Sequence, residues 1–193
     1  MKNTSKFNKA IWLIKTQLFL KPRFSKIDKR SIVFFPMQID NPQAISIGKK
    51  IFISNNAWLA GGKDSNGKDT LIIDDYTRIG HFFHCIALHD VYIGKSVLIA
   101  DKVFISDASH IYKDIDLPIF AQGMENLRSV SIGDGSWIGE NVCILGANIG
   151  KHSVIGANSV VLQDIPDYCV AVGSPARVVR KYDFETKKWV TVE

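Results

Sequence analysis

The chain has 193 residues, is 46% hydrophobic, and carries a formal net charge of +5 with a pI near 9.1 and mean hydropathy of +0.05. That size and balance suit one soluble domain with a small appendage and a real core. Scattered lysines without a recognition motif exclude a nucleic-acid binder, and three distant cysteines, Cys85, Cys143 and Cys169, exclude a disulfide framework and read as core thiols in a reducing compartment.

The N-terminal run AIWLIKTQLFL is broken by Lys15, Thr16 and Gln17 and is too short to span a bilayer, and no cleavage site marks a secretory signal. As a helix it places Phe7, Ile11, Ile14 and Leu18 on one face, with Lys6, Lys9 and Lys15 elsewhere. Two roles are open to it: a helix packed on the domain or its oligomer partner, and a basic amphipathic helix on anionic lipid. Residues 1–44 are taken as this helix and a lead-in segment.

From residue 45 a six-residue ladder begins. Ile47, Ile53 and Leu59 lie six apart, as do Ile73 and Ile79, then Ile93, Ile99 and Ile105, then Ile132, Ile138 and Ile144, and finally Ile149, Ile155 and Val161. Gly or Ala often follows the aliphatic residue, so each unit reads Ile-Gly-x-x-Val/Ser-x. A helix requires apolar spacings of three or four, and an ordinary strand requires longer alternation. Short strands separated by turns, three to a coil, satisfy the pattern, because stacked coils bury what one coil cannot. The spacing predicts an all-β parallel β-helix over 45–165 and an extended C-terminal tail over 166–193.

The ladder is interrupted at Gly61–Lys68, GGKDSNGK, which predicts a surface loop. Two extra residues fall between Ile79 and Ile93, and the interval tightens at Gly146. The largest break, 106–131, is long enough for an unrepeated loop to be functional.

IGDGSWIGENVCILGANIGKHSVIGANSVVLQDIPDYCVAVGSPARVVRKYD, residues 132–183, resembles the C-terminal half of the hexapeptide-repeat acyltransferases, and IGKSVLIADKVFISDASHIYKD, 93–114, resembles the catalytic region of their polysaccharide O-acetyltransferase branch. The resemblance implies a left-handed coil, a homotrimer with clefts between subunits, and acetyl-CoA lying along the coils. It implies transfer of acetyl to a sugar hydroxyl of a surface polysaccharide or precursor, in the cytoplasm or at the inner face of its membrane, with no metal.

His110 matches the family's catalytic histidine, and a neutral imidazole suits a general base because its ordinary pKa lies near 6.5. Asp107, three residues earlier, is a candidate to orient it. His84 matches a position that contacts the acceptor near the catalytic histidine. His81, His89 and His152 are assigned surface or structural roles. Trp137 in SWIGEN is the candidate wall for cofactor or acceptor. Gly139 and Ala157 match positions along the pantetheine arm, and Arg177, Arg180 and Lys181 are candidates for the CoA phosphates. Leu162-Gln163 departs from the Thr-Lys of many relatives. In the loop, Pro118 stiffens the chain and Gln122 is a candidate for sugar hydroxyls.

Three other readings compete. An N-acetyltransferase on a nucleotide-linked amino sugar shares the coil, but about 45 residues before it cannot hold the βαβ domain such enzymes often carry. A γ-type zinc hydratase needs three imidazoles, for which His84, His89 and His110 are available. An intact His110 argues against a scaffold without activity.

Overall fold

The computed structural model describes residues 6–62 and 66–192; side chains are described from residue 8. Of twenty-two short strands among the described residues, eighteen wind into a prism with three parallel sheets as faces; the other four make antiparallel pairs outside it. In the first sheet, Lys26–Ile27, Ile45–Ile47, Leu71–Ile73, Val91–Ile93 and Val130–Ile132 pair in order, continued by single bridges at Ile149 and Ile165. The second sheet runs from Ile32–Val33 through Phe52–Ile53, Arg78–Ile79, Leu98–Ile99, Trp137–Ile138 and Val154–Ile155 to Cys169–Gly173. The third runs from Gln38–Asp40 to Val160–Val161.

The register puts the repeated residue of each coil over its counterpart: Ile47 over Ile73 over Ile93 over Ile132, and Ile53 over Ile79 over Ile99 over Ile138. These side chains are at most 2% exposed and form one continuous core. Each is worth about 1.5–3 kcal/mol when fully buried. The ladder expected to open at residue 45 opens one coil earlier: Ile27, Val33 and Ile39 occupy the same three inward positions. The polar and aromatic residues around them hide the period in the sequence. Cys85 fills the inward slot between Leu59 and Ile105, which explains the missing aliphatic after Ile79.

Two of the prism's edges turn tightly. At the first-to-second edge Lys50, Tyr76, Ser96, His152 and Tyr168 have positive φ, and at the second-to-third edge Asn56, Phe82, Lys102, Asn141 and Asn158 do. A left-handed residue at each corner turns the chain without extra length. The third-to-first edge has no such column and receives every insertion: 62–70, 88–90 and 107–129. The break at GGKDSNGK is therefore less exposed than expected at its start. Gly61 and Gly62 are buried, and a Cβ on Gly62 would lie 1.9 Å from the Leu88 carbonyl oxygen. Residues 63–65 of this stretch lie outside the described ones.

The N-terminal helix, Lys6–Lys15, continues through a wider π turn, Thr16–Leu20. It packs on the first coil, but not by the expected face. Trp12 packs tilted against Phe34 and Phe35, with ring centres 5.0 and 4.6 Å apart. Thr16 is fully buried; its Oγ1 accepts from the Val33 N–H at 3.2 Å. Ile14 and Leu18 are 57% and 64% exposed, and the Phe7 side chain lies outside the described ones. Phe34, Phe35 and the free edge of Val33 select an aromatic and a hydroxyl four residues apart, in place of the aliphatic stripe.

The C-terminus departs from the expected extended tail. Ala176–Asp183 and Lys188–Thr191 form an antiparallel hairpin on the last strand of the second sheet. Tyr168, Tyr182, Phe184 and Trp189 pack edge to face along it, and Tyr168 stacks on His152.

Candidate active site

The long loop leaves the third sheet after Phe104–Ser106. It starts with an antiparallel pair, Ala108–His110 with Met124–Asn126, in which His110 lies opposite Met124. His110 is exposed on this arm. Tyr112, Ile115, Leu117, Ile119 and Phe120 beyond it are also exposed, between 51% and 94%.

Asp107 does not orient His110. Its side chain is wholly buried and both oxygens are committed: Oδ1 accepts from Leu88 N–H at 2.8 Å, and Oδ2 from His89 and Asp90 N–H at 2.8 and 2.7 Å. The carboxylate caps the three-residue turn 88–90 of the preceding coil, which holds that coil's two extra residues. The Asp107 carbonyl accepts from Leu127 N–H at 2.8 Å and so closes the base of the loop. Asp107 thus fixes where the arm leaves the prism.

Gln122 is likewise occupied. Its Oε1 accepts from Asp114 N–H at 3.0 Å, and its Nε2 donates to the carbonyls of Asp114 and Leu117 at 2.8 and 3.0 Å. The amide braces the loop internally and has no donor left for a sugar. Lys113 and Glu125 close the arm with a 2.7 Å ion pair, and Arg128 ties its far end to Asp164 at 2.6 Å. These braces were not legible in the sequence, because their partners are separated by 5 to 36 residues.

His84 lies on the outer surface of the third sheet, stacked on Trp58 at 4.3 Å and 11° and against Phe104 at 4.9 Å. Burial in this stack lowers its pKa below the ordinary value. Its Nε2 is shut from solvent and lacks a hydrogen-bond partner among the described residues. His84 pairs with Phe104, six residues before His110, and no contact joins the two imidazoles among the described residues. His89 Nδ1 meets Asn126 Nδ2 at 3.4 Å. Among the described residues, His84, His89 and His110 do not form a metal-ligating group, so the set weighed for a zinc hydratase is not assembled.

The second sheet carries a cleft of about 250 Å³ on its outer surface. Phe52, Arg78, Leu98 and Trp137 follow one another in register along its floor. His81 and Asp101, joined at 3.1 Å, and Glu140 form its rim. Trp137 is half exposed. The same row continues through Val154 and Val170 to Arg180, so the indole and this guanidinium stand on one column of the sheet. Arg177 lies opposite Val172, and Lys181 opposite Cys169. All three cations are exposed, and no carboxylate pairs with them among the described residues.

Gly139 and Ala157 adjoin this row at the second-to-third edge. A Cβ on Gly139 would lie 2.7 Å from both Ala157 N and the Ile155 carbonyl oxygen, so glycine is dictated there by coil spacing. Ala157 is exposed. Sequence reasoning missed Trp58 and Phe104, which hold His84; only the pairing of three coils brings them together. The cysteines lie as expected of core thiols: Cys85 and Cys169 are buried, Cys143 is half-buried, and burial pushes all three pKa values up.

Residues 129–163 match the family model for the hexapeptide repeat of succinyl-transferase. The chain is 37% identical, over 165 residues and 82% of each chain, to the putative lipopolysaccharide biosynthesis O-acetyl transferase WbbJ of Escherichia coli strain K12. Among solved structures it is similar to AntD, an N-acyltransferase from Bacillus cereus, with a TM-score of 0.71 at 19% identity over 88% of this chain and 91% of that one. It is also similar to the hexapeptide-repeat acetyltransferase VCA0836 of Vibrio cholerae O1 biovar eltor, complexed with acetyl coenzyme A, with a TM-score of 0.56 at 25% identity over 95% and 93% of the two chains. The parallel coil is thus the left-handed β-helix of these enzymes, and the chain belongs to the hexapeptide-repeat acetyltransferases.

Proposed function

We propose that this protein transfers acetyl from acetyl-CoA to a sugar hydroxyl of a surface polysaccharide or its precursor. The observation that carries the reading is His110: an exposed imidazole at the head of a loop whose base is held by the Asp107 carboxylate and whose tip is held by the Gln122 amide. The likeness to an O-acetyl transferase of lipopolysaccharide biosynthesis supports a glycan acceptor.

In this mechanism a neutral His110 accepts the proton of the acceptor hydroxyl as its oxygen attacks the thioester carbonyl. The C–S bond then breaks, the ester remains on the sugar, and the proton leaves with the CoA thiol. General-base catalysis of this kind contributes about 10²–10⁴-fold. Trp137 walls the cleft, and Gly139 and Ala157 present small side chains that allow close approach of the pantetheine arm. Arg177, Arg180 and Lys181 receive the phosphates; their lack of carboxylate partners suits them to a polyanion. His84 serves the acceptor side. Three copies of the chain complete the clefts, with the exposed apolar arm and the Trp137 row facing neighbouring copies. The enzyme works on the cytoplasmic side, where acetyl-CoA is made.

The test is thiol release from acetyl-CoA in the presence of sugar repeat units. His110→Ala is expected to lower turnover by about 10²–10⁴-fold while leaving the trimer, measured by light scattering, intact. Unchanged turnover in that variant overturns the mechanism.

A further inference from the structure

The charge of this chain is not spread evenly. Residues 1–30 contain nine lysines and arginines against one acid, Asp28, a net of +8; since the whole chain is +5, the other 163 residues carry −3. The cations of this segment are on the surface: Lys9, Lys15, Lys21, Arg23, Lys26, Lys29 and Arg30 are all exposed. Arg30 alone among them has an ion pair among the described residues, 3.4 Å to Asp28.

The same segment also exposes three large apolar side chains, while Phe24 and Ile27 are buried in the core. Ile14, Leu18 and Phe19 are 57%, 64% and 69% exposed, although the helix that carries them is anchored on its other side. The anchors are specific: Trp12 on Phe34 and Phe35, Thr16 on Val33, and Gln17 Nε2 donating to the carbonyls of Asp28 and Ser31 at 3.2 and 3.4 Å. They fix the rotation of the helix, so Ile14, Leu18 and Phe19 are held outward and do not turn in to the core. Leu18 and Phe19 lie within the π turn, followed at once by Lys21 and Arg23. Lys15 Nζ lies 4.8 Å from the centre of the Trp12 ring, which leaves its charge without a carboxylate partner. A surface with a few bulky apolar residues ringed by cations that mostly lack carboxylate partners fits the boundary between lipid headgroups and acyl chains.

We propose that this N-terminal surface docks the protein on an anionic phospholipid bilayer, with Ile14, Leu18 and Phe19 entering the interface and Lys15, Lys21 and Arg23 meeting the headgroups. The inference is independent of the acetyl-transfer reading. Charge complementarity selects the occupant: an anionic bilayer matches the +8 of this segment, whereas a second copy docking by the same face brings an equally cationic surface and the remainder of a second copy carries only −3. No helix among the described residues is long and apolar enough to cross a membrane, so the contact is peripheral.

The experiment is co-sedimentation of the full chain with vesicles of phosphatidylglycerol and phosphatidylcholine, and of phosphatidylcholine alone. Binding is expected to the anionic vesicles only, and to weaken as salt rises from 0.1 to about 0.5 M. Leu18→Glu with Phe19→Glu should reduce it at least about tenfold, and Lys21→Gln with Arg23→Gln by several-fold, with unchanged circular dichroism and oligomeric state. No binding to anionic vesicles overturns the proposal, as does equal binding by the Glu variant. A change of oligomeric state in that variant also overturns it and assigns the surface to another copy of the chain.

Discussion

Asp107 shows how far a side chain's neighbours in sequence mislead about its partners. Three residues from His110, it invites the role of an orienting carboxylate, yet it spends both oxygens on backbone N–H groups of Leu88, His89 and Asp90. Asp107→Ala leaves three donors without their acceptor and is expected to cost roughly 2–4 kcal/mol in urea unfolding. Asp107→Asn keeps one acceptor oxygen and should cost less. If Asp107 is structural, the pH profile of turnover in the Asn variant keeps the wild-type shape; a displaced profile would restore the orienting role. His84 offers a second test. Its stack between Trp58 and Phe104 disfavours the imidazolium and lowers the pKa by desolvation. Below the ordinary value near 6.5 the unfolded chain takes up a proton that the folded chain refuses, so stability falls with pH through that window. Denaturation midpoints between pH 7.5 and 5.5 should drop less for His84→Phe than for the wild type.

The repeating unit owes its letters to the distance between coils. The residue after the aliphatic is small because adjacent coils leave no space: a Cβ on Gly133 would lie 2.4 Å from Lys151 N and 2.6 Å from the Gly150 carbonyl carbon. Backbone cannot yield as a side chain can, so Gly133→Ala is expected to cost about 1–3 kcal/mol, measured by urea denaturation, without change in sheet content. The Ser or Thr of the unit has its own reason. Ser31, Thr77, Ser136 and Ser153 stack at one corner, and each hydroxyl donates to a carbonyl of the next coil and accepts an N–H from it: Thr77 between Gly94 and Val97, Ser136 between Gly150 and Ser153. Asp75, Asp134 and Asp167 form a second column at the first-to-second edge, and Asp101 plays the same part at the second-to-third edge; each accepts the N–H of the residue after the glycine on the neighbouring coil. The period was therefore legible from Ile47 to Val161, where a small residue often follows the inward aliphatic. In the first coil Ile27, Val33 and Ile39 also lie six apart, but Asp28, Phe34 and Asp40 follow them in place of Gly or Ala, and at Cys85 the aliphatic itself is missing.

At the scale of the whole prism, the three interruptions that look unrelated along the chain fall on one edge. The insertion at 88–90 is capped by Asp107, and the Asp90 carbonyl accepts from Val130 N–H where the long loop returns. Lys68 reaches Asp90 at 3.5 Å, and Arg128 carries the connection to Asp164 in the last coil. The arm bearing His110 thus rests on a stack of shorter loops, while the Trp137 row occupies a different face. The sequence by itself determined the coil, its period and the residue types of the candidate chemistry, because each follows from a local rule: what a six-residue turn must bury, and which side chain can hold a proton. Only the tertiary structure decided that Asp107 and Gln122 brace instead of binding, that the tail folds back as a hairpin, and that the N-terminal helix shows its aliphatic side to solvent. Those outcomes depend on which backbone donors and aromatic faces distant segments leave open, and such vacancies exist only once the coils have stacked.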